Sequence, residues 1–400
     1  MMLIEPFLKA LPILETIEEH NHQAFFVGGC VRDFLLGRTI GDVDITTSAR
    51  PEMIQKYFPK VIPVGIEHGT VIVRNEDISY EVTTFRIDGD YSDKRHPDSV
   101  MFIDKIDKDL ERRDFTINAL AMTKDGEIID LFDGRGDLNQ KVIRTVGDGY
   151  ERFKEDSLRI IRALRFSSQL GFMIHEDTLK DMKLVMQDIG SLAVERISNE
   201  FAKLFAGKYV ETGISYLRTT GIYKYLPIFS EHPDMMKHIP NKITPLLSFG
   251  EVIALFHLLE PNISVKNWVK AWKCSNQIKK EAVALIQAYD YYVNNGINNW
   301  LVYSLEESYY NGFVRIVNVL QNKIVTYDDL IKVRNKLPIQ SRNELDINGN
   351  DLIHMFPDNR KGPWLHKMLS AIEKEVVFDG LKNKKSEIKD WIKCHPPETN

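Results

Sequence analysis

What this chain lacks narrows it first. Its 400 residues hold three cysteines, Cys30, Cys274 and Cys394, widely separated and odd in number. Such usage argues against a disulfide framework and against a zinc site. No apolar run approaches the ~20 residues that a membrane span needs. The opening MMLIEPFLKALPILETIEEH has no basic start, and Glu5, Lys9 and Glu15 interrupt it at helical spacing, so it does not read as a signal peptide. There is no internal repeat and no low-complexity segment. Together these absences predict a cytoplasmic protein with no membrane partner. The net charge of −5 also lacks the basic excess that announces a nucleic-acid binder.

The charge is nevertheless uneven. ISVKNWVKAWKCSNQIKK, from Ile263 to Lys280, carries five lysines and no acid, and LKNKKSEIKDWIK near the end is again basic. Such blocks either track a phosphate backbone or form a solvated helix face. Hydrophobic content of 43% and charged content of 27% are those of a soluble globular chain. Its length exceeds one ordinary core and implies two or more domains.

The first part mixes strand and helix signals. β-Rich runs occur at AFFVGG, DVDITT, GTVIVRN, ISYEVTTFR and EIIDLFDG, and RNED reads as a hairpin turn. Helical stretches are expected at the N-terminus, after Gly29, at SARPEMIQKYF and at DFTINALAM. After about Gly149 the period becomes 3.6 residues and strand signals turn scarce. The predicted class is α+β, a head with a small mixed sheet followed by an all-helical remainder. The expected division is 1–148, 149–206, 207–300 and 301–400.

Three clusters carry chemistry. In VGGCVRDFLLGRTIGDVDITTSA, Asp42 and Asp44 alternate with Val43 on a strand, so both carboxylates share one face. They repel unless a cation lies between them, and oxygen ligands of this kind suit Mg²⁺ beside phosphates. The Gly28–Gly29 turn opens a helix whose start favours an anion, with Arg32 in its first turn. Glu81 is either a third carboxylate of the same site or an ordinary surface glutamate.

In ERRDFTINALAM, Asp114 is expected to cap a helix, and the adjacent Arg112 and Arg113 oppose the dipole of that helix unless an anion compensates them. In EDSLRIIRALRF, Asp156, Arg159, Arg162 and Arg165 recur every three residues along one expected helix. Asp156 and Arg159 either bridge one turn, worth ~0.2–0.5 kcal/mol, or read a base. A carboxylate accepts from an exocyclic amine and a guanidinium donates to a ring acceptor, a pattern that C and A offer and U and G do not.

These motifs resemble the tRNA nucleotidyltransferases, the CCA-adding enzymes of the bacterial and eukaryotic class. GGCVRDFLLG with GDVDITTSA, RRDFTINALA, DLFDGRGDLNQKVIRTVGD and EDSLRIIRALRFSSQLGF carry the likeness in order within residues 27–172. The remainder resembles the short, Gram-positive-like branch, without an HD domain. The resemblance implies a polymerase-beta-like nucleotidyltransferase head, then a neck, body and tail. It implies addition of C, C and A to the tRNA 3′ end from CTP and ATP, with Mg²⁺. By its pattern Asp42 and Asp44 are metal ligands, Gly29, Arg32 and Arg113 meet the nucleotide, and Asp156 and Arg159 are the amino-acid template. Arg162 and Arg165 complete the nucleotide pocket. Asp88–Phe102 resembles a flexible loop needed for the final A. The partners implied are the tRNA acceptor arm and 3′ end, CTP and ATP, and no protein beyond possible self-association. Relatives with the same head include poly(A) polymerases and split enzymes that add only CC or only A.

Overall fold

Strands of two to seven residues, the longer ones rich in β-branched and aromatic side chains, build a seven-stranded mixed sheet in the N-terminal part of the chain. The computed structural model describes residues 2–89, 99–321 and 324–397. In chain order the strands are β1 (Ala24–Val27), β2 (Asp44–Thr47), β3 (Val61–Ile62), β4 (Thr70–Asn75), β5 (Ile78–Thr84), β6 (Arg86–Asp88), β7 (Val100–Phe102), β8 (Leu120–Met122), β9 (Ile128–Asp130), β10 (Val142–Ile143) and β11 (Met173–Ile174). The sheet runs β3-β4-β5-β2-β1-β8-β9. Only the β2–β5 pair in it is parallel. Two short ribbons, β6–β7 antiparallel and β10–β11 parallel, stand apart from it.

The expected strands are all present, and RNED is a hairpin turn. Glu76 and Asp77 both have positive φ, 47° and 66°, as a two-residue primed turn between twisted strands requires. DFTINALAM is not a helix. Thr116–Asn118 makes one 3₁₀ turn and Leu120–Met122 is strand β8, wholly buried between β1 and β9. A strand covered on both faces is apolar on both, so it shows no period of two. The helix Glu5–Glu19 buries Phe7, Ala10, Ile13, Leu14 and Ile17, and Phe7 packs on Phe26 of β1 with ring centroids 4.8 Å apart.

The chain forms two compact units, Met1–Met236 and Lys237–Asn400. The boundary between them falls inside the expected segment 207–300. In the first unit, the row from Asp156 to Arg165 does not lie on one helix. One helix ends at Glu155, Asp156 is extended with φ −145°, and the next helix is Leu158–Leu170. Gly207 lets the following segment touch that helix, for a Cβ there would come within 2.6 Å of the Ser168 carbonyl.

Every secondary-structure element among the second unit's described residues is helical. In NWVKAWK the two tryptophans, Trp268 and Trp272, are fully buried against Phe256 and Phe249, which leaves Lys266, Lys270 and Lys273 outward. Buried Glu251 receives both a terminal and the ε nitrogen of Arg315, at 2.7 and 2.8 Å. No helix among the described residues is long and apolar enough to cross a membrane.

Candidate active site

β2 begins at Asp44, and its parallel partner β5 places Glu81 in register with it. Residues paired this way project from the same face of the sheet. Asp42 precedes the ladder. It is exposed and lines a separate cavity of about 230 Å³ with Val43, Ser79 and Tyr80. Burial, followed by the charge of Glu81, pushes the Asp44 carboxyl up to about 6, against the pull of Arg113 and with a smaller push from Asp42.

Opposite these carboxylates stand three guanidiniums. A cavity of about 230 Å³ has Asp44 and Glu81 on its wall together with Arg86, Arg112 and Arg113. Arg112 and Arg113 do not open a helix, as the sequence suggested. They follow the helix Ile106–Glu111, whose C-terminal end favours cations. The compensating anion is Asp109 of that helix, fully buried, 2.9 Å from Arg112 and 3.4 Å from Arg113. A second anion, Asp88, lies 2.8 Å from Arg86 and 3.4 Å from Arg112. Neither Arg86 nor Asp109 stands out in the sequence, because nothing local marks the cavity that their partners line.

The glycine turn joins this cavity. Gly28 has φ +76°, and a Cβ on it would stand 3.0 Å from Arg113 Nη1, so backbone and guanidinium approach closely there. Gly29 starts the helix Gly29–Leu35. Arg32 is buried, donating through Nη1 to Asn118 Oδ1 at 2.6 Å and through Nε to Asp33 at 3.1 Å. Asp114 is not a helix cap. It accepts from Phe115 N–H, Asn118 and Arg162. Burial alone would raise its carboxyl, but Arg162, Asn118 and Arg159 outweigh burial and hold it at about 2.

Asp156 and Arg159 do not bridge each other. Asp156 takes Arg196 at 2.7 Å, while Arg159 takes Glu155 at 2.6 Å and donates to the Arg112 carbonyl at 3.2 Å. Arg162 pairs with Asp114 at 2.6 Å and Arg165 with buried Glu200 at 2.5 Å. Arg32, Arg162 and Arg165 surround the Phe166 ring, at 5.1, 5.5 and 4.0 Å from its centroid. Of the residues expected from the sequence, Asp44, Glu81 and Arg113 line the cavity. Arg159 and Arg162 are tied to it through Arg112 and Asp114, the neighbours of Arg113. Of the expected loop Asp88–Phe102, residues 90–98 lie outside the described residues, and its ends pair as β6 and β7.

A larger cavity, about 580 Å³, occurs in the second unit between Trp364 and Trp391. Its wall has Lys367 and His395 but no carboxylate, so it offers no counterpart to the Asp44 site.

Known proteins resemble this chain along the same division. Residues 24–144 match the family model described as the poly A polymerase head domain, and 171–232 one described as a probable RNA and SrmB-binding site of polymerase A. Residues 251–392 match a putative tRNA nucleotidyltransferase domain 2. The CCA-adding enzyme of Oceanobacillus iheyensis is 50% identical over 400 residues, covering 100% of both chains. That of Anoxybacillus flavithermus is 40% identical, covering 99% of both. Among solved structures, the Bacillus stearothermophilus CCA-adding enzyme in complex with CTP is 34% identical with a TM-score of 0.87, covering 98% of both chains.

Proposed function

The chain belongs to the family of CCA-adding enzymes, and from that premise we propose that it builds C, C and A on the 3′ end of tRNA from CTP and ATP, releasing diphosphate at each addition. The observation that carries this reading is the cavity in which Asp44 and Glu81 face Arg86, Arg112 and Arg113. Nucleotidyl transfer needs little covalent help from a protein. It needs carboxylates where the attacking hydroxyl is activated and cations where phosphate charge develops.

The residues present fit Mg²⁺. Asp44 and Glu81 supply carboxylate oxygens on one face of the sheet, with Asp42 two residues before Asp44. Burial, followed by the charge of Glu81, pushes the Asp44 carboxyl up to about 6, so a cation beside it would favour the ionised form. Mg²⁺ is commonly held by one or two carboxylates and completed by water and substrate phosphates. Asp42 and Asp44 are the ligands in this reading, with Glu81 beside them. When bound, the ion would activate the 3′ hydroxyl and neutralise the leaving diphosphate.

The remaining tasks fall to the chain itself. Arg113 meets the phosphates, with Gly29 and Arg32 supporting the same end of the nucleotide. Asp156 and Arg159 read the base edge, exchanging Arg196 and Glu155 for the exocyclic amine and ring acceptor of C or A. Arg162 and Arg165, fixed by Asp114 and Glu200, complete the nucleotide pocket. Segment 149–206 is then a neck that reads the base, and 207–300 and 301–400 are a body and tail that hold the tRNA acceptor arm through outward lysines. These substrates imply action in the cytoplasm.

Substitution at the carboxylates tests the site. Asp42→Ala or Asp44→Ala should abolish incorporation of both CMP and AMP while weakening nucleotide binding far less, since both additions use one metal site. Wild-type rates of CMP addition in Mg²⁺ by either variant would refute the assignment.

A further inference from the structure

We propose that Asp109 is a positioning residue that holds Arg112 and Arg113 against the phosphates of the incoming nucleotide. The inference rests on the nucleotidyl-transfer reading of the same cavity. Asp109 is fully shielded from solvent and is not on the cavity wall, so no substrate atom reaches it. Its oxygens are shared between two arginines of that wall and one threonine behind it. Oδ1 accepts from Arg112 Nε at 3.0 Å, and Oδ2 accepts from Arg113 Nη2 at 3.4 Å and from the Thr46 hydroxyl at 3.3 Å. Thr46 lies two residues along β2 from Asp44, so one carboxylate braces the arginine wall against the strand that carries the acid wall.

The arrangement solves a problem of like charges. Arg86, Arg112 and Arg113 line one small cavity and would repel each other apart. Asp88 stands between the first two and Asp109 between the last two, so signs alternate along the row. A buried carboxylate is costly unless it is paired in this way. Burial would raise the Asp109 carboxyl, yet Arg112 and Arg113 hold it below its usual range. Meanwhile Arg113 Nε is buried with no hydrogen-bond partner among the described residues. Asp109 therefore engages one edge of the Arg113 guanidinium and leaves donors for an anion of the substrate.

Asp109→Asn keeps the shape and removes the charge. Calorimetric titration of the full-length protein in Mg²⁺ with CTP and with CMP, together with kcat and KM for C addition, separates positioning from general support. CTP affinity should fall about tenfold and KM rise in step, with kcat held within about threefold. CMP affinity should not change, because CMP lacks the two outer phosphates. A role confined to stability would weaken both ligands alike or neither, and either result in the folded variant overturns the proposal. If Asp109→Asn does not fold, Thr46→Val is measured the same way: selective loss of CTP affinity supports the proposal, and equal or absent loss overturns it. Wild-type protein that fails to bind CTP would overturn the nucleotidyl-transfer reading and this inference with it. Wild-type binding with an equally competent variant overturns the inference alone.

Discussion

Asp44 on β2 and Glu81 on β5 are register partners across a parallel pair, so two carboxylates share one face of the sheet beside a cavity. This arrangement sets function against stability, because the charge that would hold a cation is a liability without one.

In EDTA, Asp44→Asn should therefore be more stable than the parent protein near neutral pH, by about 1–2 kcal/mol. The sign follows from the raised carboxyl. The folded state holds the Asp44 proton up to about 6, whereas the unfolded chain releases it near its ordinary value, so ionisation costs the fold as pH rises between the two. Thermal melts across pH check this. The advantage of the variant should vanish at acid pH, where Asp44 is protonated in both states, and saturating Mg²⁺ should reverse it.

Asp114 should behave in the opposite sense. Its carboxyl is held at about 2 by Arg162, Asn118 and Arg159 against the effect of burial. It contributes stability above its unfolded value, near ~4, that is lost as pH falls through the folded one. Asp114→Asn leaves the half-buried Arg162 guanidinium without its main partner and should cost about 1–2 kcal/mol in urea unfolding. A loss below about 0.5 kcal/mol would mean that Glu200, 3.9 Å from Arg162, suffices alone.

Much of the head is legible in the sequence because its signals are local. DITT, TVIVRN and ISYEVTT declare themselves by β-branched composition, and RNED by turn chemistry. Leu120–Met122 reads as helix from sequence because a strand buried on both faces has no alternation to detect. The break at Asp156 is also hidden. The three-residue recurrence of charges runs through Ser157 as if one helix continued, while Leu158 N–H is capped by the Asp156 side chain at 3.1 Å. The partners of the charged clusters are illegible for a different reason. Asp109 and Arg113 are four residues apart, but the Thr46 hydroxyl that Asp109 also accepts comes from 63 positions away in the chain. Glu200 is likewise 35 positions from the Arg165 it neutralises.

The partners of Asp156 and Arg159 sharpen the test of base reading. They pair with Arg196 and Glu155 rather than with each other. A double-mutant cycle on stability should show coupling below about 0.3 kcal/mol. The same cycle on the ratio of kcat/KM for CTP to that for UTP should show strong coupling, each alanine costing roughly 1–3 kcal/mol of discrimination by analogy with base-edge recognition. Unchanged selectivity with slightly lower Tm would refute the template role.

Binding of tRNA should weaken with salt despite the acidic net charge. Lys266 and Lys270 project from a helix whose other face is locked by Trp268. Lys266→Glu with Lys270→Glu should weaken tRNA binding and reduce the salt slope by about one for every phosphate these lysines neutralise. CTP affinity should be untouched. Parallel weakening of both ligands would point to damage to the fold.

The central claim is template-free growth of a tRNA end by three defined nucleotides. The most direct measurement incubates the protein with a tRNA lacking its CCA end, Mg²⁺, and each labelled nucleotide singly and in combination, then sizes the product at single-nucleotide resolution. The account predicts two additions with CTP alone, a third when ATP joins it, and none with UTP or GTP. A product that stops at CC with both nucleotides present, one that starts only on a CC end, or an open-ended run of A would contradict it.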